Sequence, residues 1–439
     1  EMYYYRWWSL RKHIKETPVG YGMTEFLVQR SYSDKYNLIA CAIGHHIYES
    51  RWLRDPKYLD QIIHTWYRGN DGGPVKKMDK FSSWNADAVL ARYMVDGDKD
   101  FMLDMTKDLE TEYQRWERTN RLKNGLYWQG DVQDGMEESI SGGRKKKYAR
   151  PTINSYMYGN AKALSIMGIL SGDEGMAMRY GMRAATLKSL VENDLWNTRH
   201  QFFETMRSDS SANVREAIGY IPWYFNLPDT TKKYEVAWKE IMDEKGFSAP
   251  YGLTTAERRH PEFRTRGVGK CEWDGAIWPF ASAQTLTAMA NFMNNYPQTV
   301  LSDSVYFRQM ELYVESQYHR GRPYIGEYLD EVTGYWLKGD QERSRYYNHS
   351  TFNDLMITGL IGLRPRLDDT IEINPLIPAD KWDWFCLDNV LYHGHNLTIL
   401  WDKNGDRYHC GKGLRIFVNG KEAGHADTLT RLVCENALK

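Results

Sequence analysis

The chain carries almost no net charge. Its 57 Lys and Arg residues offset 58 Asp and Glu residues, leaving −1 over 439 residues, so no global field draws it to nucleic acid or to an anionic membrane surface. Apolar runs are short. None reaches the ~18 residues that a membrane-spanning helix requires, and no membrane insertion is expected. Cysteine is sparse: Cys41, Cys271, Cys386, Cys410 and Cys434 are odd in number and show no Cys-x-x-Cys spacing, which argues against a zinc site and against a dense disulfide framework. A single pairing of Cys386 with Cys410 or Cys434 stays open if the C-terminal region is oxidised. There is no Gly-x-Ser-x-Gly elbow, phosphate-binding loop or dinucleotide fingerprint, so neither a Ser/His/Asp triad nor a nucleotide cofactor is expected. The chain opens at Glu1 with neither an initiator Met nor a signal-peptide pattern, which reads as a mature or trimmed piece and, with its richness in aromatics, suits a periplasmic or secreted location.

What the chain has in excess is aromatic: 16 Trp and 31 Tyr, with aromatics at 14%. The C–H faces of pyranose rings pack on such rings, while Trp and Tyr keep a polar handle. A core rich in aromatics is the alternative use. Helical spacing of apolar residues appears at 36–53, 86–94, 158–170, 174–195, 278–293, 304–318 and 350–363, with Ser83, Asp173 and Asn348 as cap candidates. Between these lie loops 121–152, 203–224 and 247–277, rich in Gly, Trp, Asp and Arg. Loops of that length in a compact domain usually carry function. The recurrence of helix, long loop, helix, short turn is how a toroid of paired helices reads. Beyond Pro365 the pattern alternates with period two at 371–373, 390–392, 397–401, 414–418 and 430–433, punctuated by Lys403-Asn-Gly405 and the two-residue hairpin signal Asn419-Gly420. The expected organisation is a mainly α domain over 1–367 and a small antiparallel β domain over 368–439.

Two distant segments concentrate carboxylates beside Gly and large aromatics. In 125–156, Asp131, Asp134, Glu137 and Glu138 crowd around Gly135, and crowding raises carboxyl pKa values toward what a general acid needs. A solvated acidic loop balanced by Arg144-Lys-Lys-Lys147 is the alternative. In 323–336, Glu327 sits between Gly326 and Tyr328 ahead of a Thr333-Gly334 turn, with Glu331 read as a turn residue. Cleaving a glycosidic bond needs two such carboxyls on opposite sides of the bond. The pair His45-His46 is not a metal pair, since adjacent helical residues point apart. No metal or other cofactor is expected.

Three motifs in order carry a family resemblance. Gln133-Asp-Gly-Met-Glu137, Glu272-Trp-Asp-Gly-Ala-Ile-Trp278 and Gly326-Glu-Tyr-Leu-Asp-Glu-Val-Thr-Gly334, with Asn154-Ser-Tyr-Met-Tyr158 between the first two, resemble the acid, middle and base elements of the (α/α)6-barrel inverting glycosidases. This clan of six-hairpin enzymes holds trehalases, processing α-glucosidases and mannosylglycerate-hydrolase-like enzymes. The resemblance spans about residues 80–365. It implies an (α/α)6 toroid and hydrolysis of an α-linked glycoside by single displacement with inversion. Glu137 is then the general acid, with Asp134 as the alternative three residues earlier, and Glu327 the general base. It departs from the family in having Glu where the acid is usually Asp, and Asp274 where the middle element has Arg. Candidate substrate contacts are Trp84, Asn85, Trp128, Arg150, Asn154, Trp273, Asp274 and Trp278, with Arg343, Arg345 and His349 shaping the cleft. The expected partner is an oligosaccharide or glycoside; the sequence does not fix an oligomeric state. Two other readings stay open. One is a polysaccharide lyase on a similar toroid, using Tyr156, His349 and Arg345. The other is a non-catalytic carbohydrate-binding protein.

Overall fold

The computed structural model describes residues 1–231 and 234–439. Among these residues nine α-helices have eight residues or more: α1 Met2–His13, α2 Ile43–Ser50, α3 Lys57–Arg68, α4 Asn85–Asp96, α5 Lys99–Asn120, α6 Pro151–Ser171, α7 Glu174–Leu190, α8 Pro279–Asn295 and α9 Asp303–Ser316. They fall into two kinds. Helices α2, α4, α6 and α8 bury residues on all sides, as an inner helix must. Helix α5 buries a single stripe, Met102, Met105, Leu109, Tyr113 and Trp116, at three- and four-residue spacing, and presents its charged faces outward. Helix α6 packs on α4, α5 and α7, and α4 packs on α2.

Local chemistry sets several boundaries. Pro151 and Pro279 stand at the first positions of α6 and α8, where the missing N–H costs nothing. Asp173 caps α7, accepting from Met176 N at 2.8 Å. Ser83 and Asn348 are not caps. Ser83 Oγ donates to Glu112 Oε1 at 2.8 Å, and Asn348 Nδ2 donates to Thr24 O at 3.1 Å, because tertiary acceptors outcompete a helix terminus there. The expected helix at 36–53 begins only at Ile43, after a short 3-10 turn Ala40–Ala42, and the one at 350–363 shrinks to a short turn around Asn353–Leu355 followed by Met356–Leu360. Helices α1, α3 and α5 lie outside the expected set.

The C-terminal strands form a small antiparallel domain. Trp384–Tyr392, His395–Asp402, Gly413–Val418 and Lys421–Ala426 make a four-stranded sheet in sequence order, while Ile371–Ile373 pairs with Leu432–Cys434. Asn419 and Gly420 both take positive φ, 49° and 80°, as a two-residue type I′ hairpin requires. All five cysteines are free, so the Cys386 pairing left open by the sequence is not formed.

Candidate active site

Every inner helix is entered through a loop, and these loops converge on one cavity of about 290 Å³. Its wall includes Ile39 and Cys41 ahead of α2, Lys80 and Phe81 ahead of α4, Gly135 and Glu137 ahead of α6, and Trp273, Trp278 and Phe280 at the entry to α8. Glu327, Arg343 and His349, ahead of the Asn353 turn, also line it, as do Glu25 and Tyr347. Two carboxyls that stand 190 residues apart in sequence, Glu137 and Glu327, thus open on the same space.

Backbone geometry aims Glu137. The turn that precedes it is closed by Met136 N donating to Asp131 O at 2.8 Å, and Gly135 takes φ 75°. A Cβ there would sit 2.4 Å from Cys41 Sγ, so both the dihedral and the contact demand glycine. Of the four acids in this loop only Glu137 lines the cavity. Glu138 pairs with Arg144 at 2.8 Å on the surface. Asp131 is buried beneath the turn. Asp134 forms a fully buried ion pair with Arg150 at 2.7 Å and also accepts from Thr152 Oγ1.

Glu327 is aimed by a different device. Ile277 and Leu329 exchange two backbone hydrogen bonds of 3.0 Å, which joins the middle element to the base element and sets Trp278 beside Tyr328. Arg264 clamps the two elements, reaching Glu272 at 2.8 Å and Glu331 at 2.6 Å. Trp273, Trp278 and Tyr328 stack in sequence, with centroids 4.3 Å and 4.6 Å apart and rings within 18° of parallel. The result is a rigid aromatic pile in which Trp278 is sandwiched between Trp273 and the buried Tyr328, and Trp273 and Trp278 border the cavity that holds the two acids.

Burial pushes the Glu137 carboxyl up to about 7, with the negative charge of Glu327 adding to the effect. Burial also raises Glu327, opposed by Arg343, whose guanidinium lies 3.7 Å away, and by Lys338 and Ser344. Glu137 therefore keeps its proton closer to neutrality than a free glutamate does, and Glu327 has cations to favour its ionised form. One acid and one base in one cavity is the arrangement for proton transfer to a leaving oxygen and from a water.

Several candidate contacts sit elsewhere. Trp84 is 1% exposed and wedged in the core between His45, Tyr156 and Phe280. Asn85 donates to Glu112, and Asn154 bridges Tyr127 and Arg150 backbone groups. Trp128 lies under the Lys147 ammonium, 4.4 Å from its ring centroid. Arg150 is spent on Asp134. Asp274 accepts from the N–H groups of Arg266 and Gly267 at 2.7 and 2.9 Å and so holds a loop. None of these six lines the cavity, because each finds its polar or apolar partners within the fold. The lyase candidates are not gathered either. His349 faces the cavity, Tyr156 is buried in the core with Gln284 on its hydroxyl, and Arg345 lines a separate outer groove. Glu25, Ile39, Cys41, Lys80 and Phe81 are cavity residues outside the sequence-based set. Among the described residues no group of three or more His, Cys, Asp and Glu side chains could hold a metal ion.

Comparison with known proteins places this geometry. Residues 35–350 match the mannosylglycerate hydrolase MGH1-like glycoside hydrolase domain, and residues 363–425 match the C-terminal domain of glycosyl hydrolase family 65. Over its full length the chain is 99% identical to part of a solved protein named sialidase, with a TM-score of 0.99, and it spans 40% of that protein's chain. The GH63 mannosylglycerate hydrolase from Thermus thermophilus, solved with glucose, matches with a TM-score of 0.60 at 12% identity, over 81% of this chain and 99% of that one. A GH78 family rhamnosidase of a Bacillus species matches with a TM-score of 0.60 at 12% identity, over 95% of this chain and 41% of that one. At such identities the likeness establishes the fold alone: the helical toroid implied by the sequence resemblance, followed by the small strand domain.

Proposed function

We propose that this chain, which belongs to the mannosylglycerate hydrolase MGH1-like glycoside hydrolase family, cleaves an α-linked glycoside by single displacement with inversion. Glu137 protonates the leaving oxygen, and Glu327 deprotonates a water that attacks the anomeric carbon from the opposite face. The observation that carries this reading is the meeting of Glu137 and Glu327 on one cavity. Trp273 and Trp278, which border the same cavity, support it. Trp273 offers the sugar-stacking face, and Trp278, covered on one side by Trp273 and on the other by Tyr328, props it from behind. Arg343, 3.7 Å from Glu327, opposes the rise that burial gives its carboxyl. Space for the water between the carboxyls, roughly 6.5–9.5 Å, is what separates inversion from retention. The α-linkage follows the family resemblance.

The pH dependence tests the assignment of roles. The acid must be protonated, so activity falls as pH rises through the Glu137 value of about 7. The base must be ionised, so activity falls as pH drops through the raised Glu327 value. The kcat/KM profile is therefore expected to be a bell with its maximum on the acid side of about 7, its apparent limbs belonging to the coupled pair. A screen of oligosaccharides for newly released reducing ends supplies the substrate for that profile. A product absorbing near the ultraviolet edge, as a conjugated unsaturated uronate formed by elimination beside a carboxylate does, would instead mark a lyase.

A further inference from the structure

Among the described residues, Glu25 is the one acid of the cavity that the acid–base pair leaves unused. It follows the hairpin of Ile14–Thr17 with Gly20–Met23. Its carbonyl accepts from Asn348 N at 2.9 Å, and Asn348 Nδ2 donates to the preceding Thr24 carbonyl at 3.1 Å. The segment is thereby tied to the stretch that carries Tyr347 and His349. The side chain is 4% exposed and opens on the same space as Glu137 and Glu327.

The hydrogen bonding of Glu25 differs from that of a structural acid. Glu49, equally buried, accepts from the backbone N–H groups of Phe352, Asn353 and Asp354 at 2.9–3.0 Å, which caps the turn they begin. Glu25 has a single donor among the described residues, Tyr347 Oη at 2.7 Å from Oε1. A buried carboxyl with one donor is costly, and in return this one ties down no backbone group with its side chain. Burial, with Glu327 and Glu137 nearby, pushes it up to about 8 despite the Tyr347 bond. At neutral pH it then carries a proton and can both donate and accept, matching a sugar hydroxyl, which does the same.

We propose that Glu25 is a substrate-binding and specificity-determining residue: Tyr347 fixes one carboxyl oxygen, and the other engages a hydroxyl of the sugar held between Glu137 and Glu327. This rests on the glycoside hydrolase reading of the cavity. A site built to hydrogen-bond one hydroxyl discriminates strongly against the analogue that lacks it, because its own polar group is then left unpaired. Glu25 thus selects the sugar that presents that hydroxyl over its deoxy counterpart.

Kinetics of Glu25→Ala, Glu25→Gln and Tyr347→Phe on a glycan cleaved by the wild type, with melting temperatures alongside, test the assignment. Glu25→Ala is expected to raise KM by roughly tenfold to a hundredfold, the loss of a strong hydrogen bond, with a smaller change in kcat. Glu25→Gln should recover part of the loss, and Tyr347→Phe should fall between. Ligand-observed NMR with free pentoses, hexoses and their monodeoxy derivatives reads the site without turnover. A neutral aldose should contact the wild type, contact Glu25→Ala less, and lose contact with the wild type when one particular hydroxyl is removed. An unchanged KM in folded Glu25→Ala, or no aldose contact that depends on Glu25, overturns the proposal. Failure of the hydrolase reading shows separately, as activity that survives Glu137→Gln and Glu327→Gln, and leaves the NMR comparison valid.

Discussion

Glu137→Gln and Glu327→Gln are each expected to lower kcat on a natural oligosaccharide by about a hundredfold to ten-thousandfold, the usual contribution of a positioned acid or base, with the melting temperature unchanged. Glutamine keeps the size of the side chain but neither gives a proton nor takes one. The fold has little to lose, because Glu137 is partly open to the cavity and, among the described residues, the Glu327 side chain has a 3.5 Å hydrogen bond to Ser344 and a 3.7 Å contact with Arg343. The two variants should also differ from one another. An aryl glycoside whose leaving group departs without protonation bypasses the acid, so Glu137→Gln should recover on it. Glu327→Gln should stay impaired, since water activation is needed whatever leaves. The double variant should be little worse than the poorer single one, because the two groups act in one transition state. Steady-state kinetics on the paired substrates checks all three expectations, and equal recovery of both variants would contradict the division of roles.

Removing either partner of the Asp134–Arg150 pair should cost stability rather than chemistry. Both side chains are fully buried at 2.7 Å, and Thr152 adds its hydroxyl to the same carboxylate oxygen. Taking away one partner strands the other charge in a medium that cannot solvate it, a loss of about 3–5 kcal/mol. Arg150→Ala and Asp134→Ala should therefore lower the melting temperature sharply, and the double variant should lose less than the sum of the two singles. Below the melting transition, residual activity per folded molecule should hold. The outcome that would count against this is Asp134→Asn with an unaltered melting temperature and no turnover, which would move the acid role three residues back along the loop.

The two acid loops were legible in sequence because their chemistry is written locally: acids beside Gly and aromatics, with Gly135 and Gly326 marking tight backbone. The C-terminal strands were legible through their alternation and the Asn419-Gly420 turn, although Lys421–Ala426 escaped notice because it has no large apolar residue to mark an alternation. The aromatics were not legible one by one. Trp84 and Trp273 stand in similar local settings, yet one fills the core and the other walls the cavity, and only the helices packed around each decide between these uses. Asp134 and Asp274 likewise looked available until the fold supplied Arg150 to one and two backbone N–H groups to the other. Glu25 was missed because a single Glu between Thr24 and Phe26, in a segment without periodicity, gives no sign that residues 347–349 will close over it. Helix α5 was missed for a related reason: its apolar stripe is thin among charges, and its stability comes from packing against α4 and α6.

The most direct test of the central claim is the anomeric configuration of the first sugar released, followed by proton NMR from the earliest moments of hydrolysis, before mutarotation mixes the anomers. Glu137 and Glu327 acting as acid and base on either side of the bond predict an anomer of configuration opposite to that of the substrate. Release of the anomer with the substrate's own configuration would mean two displacements and a covalent intermediate, and would contradict the account.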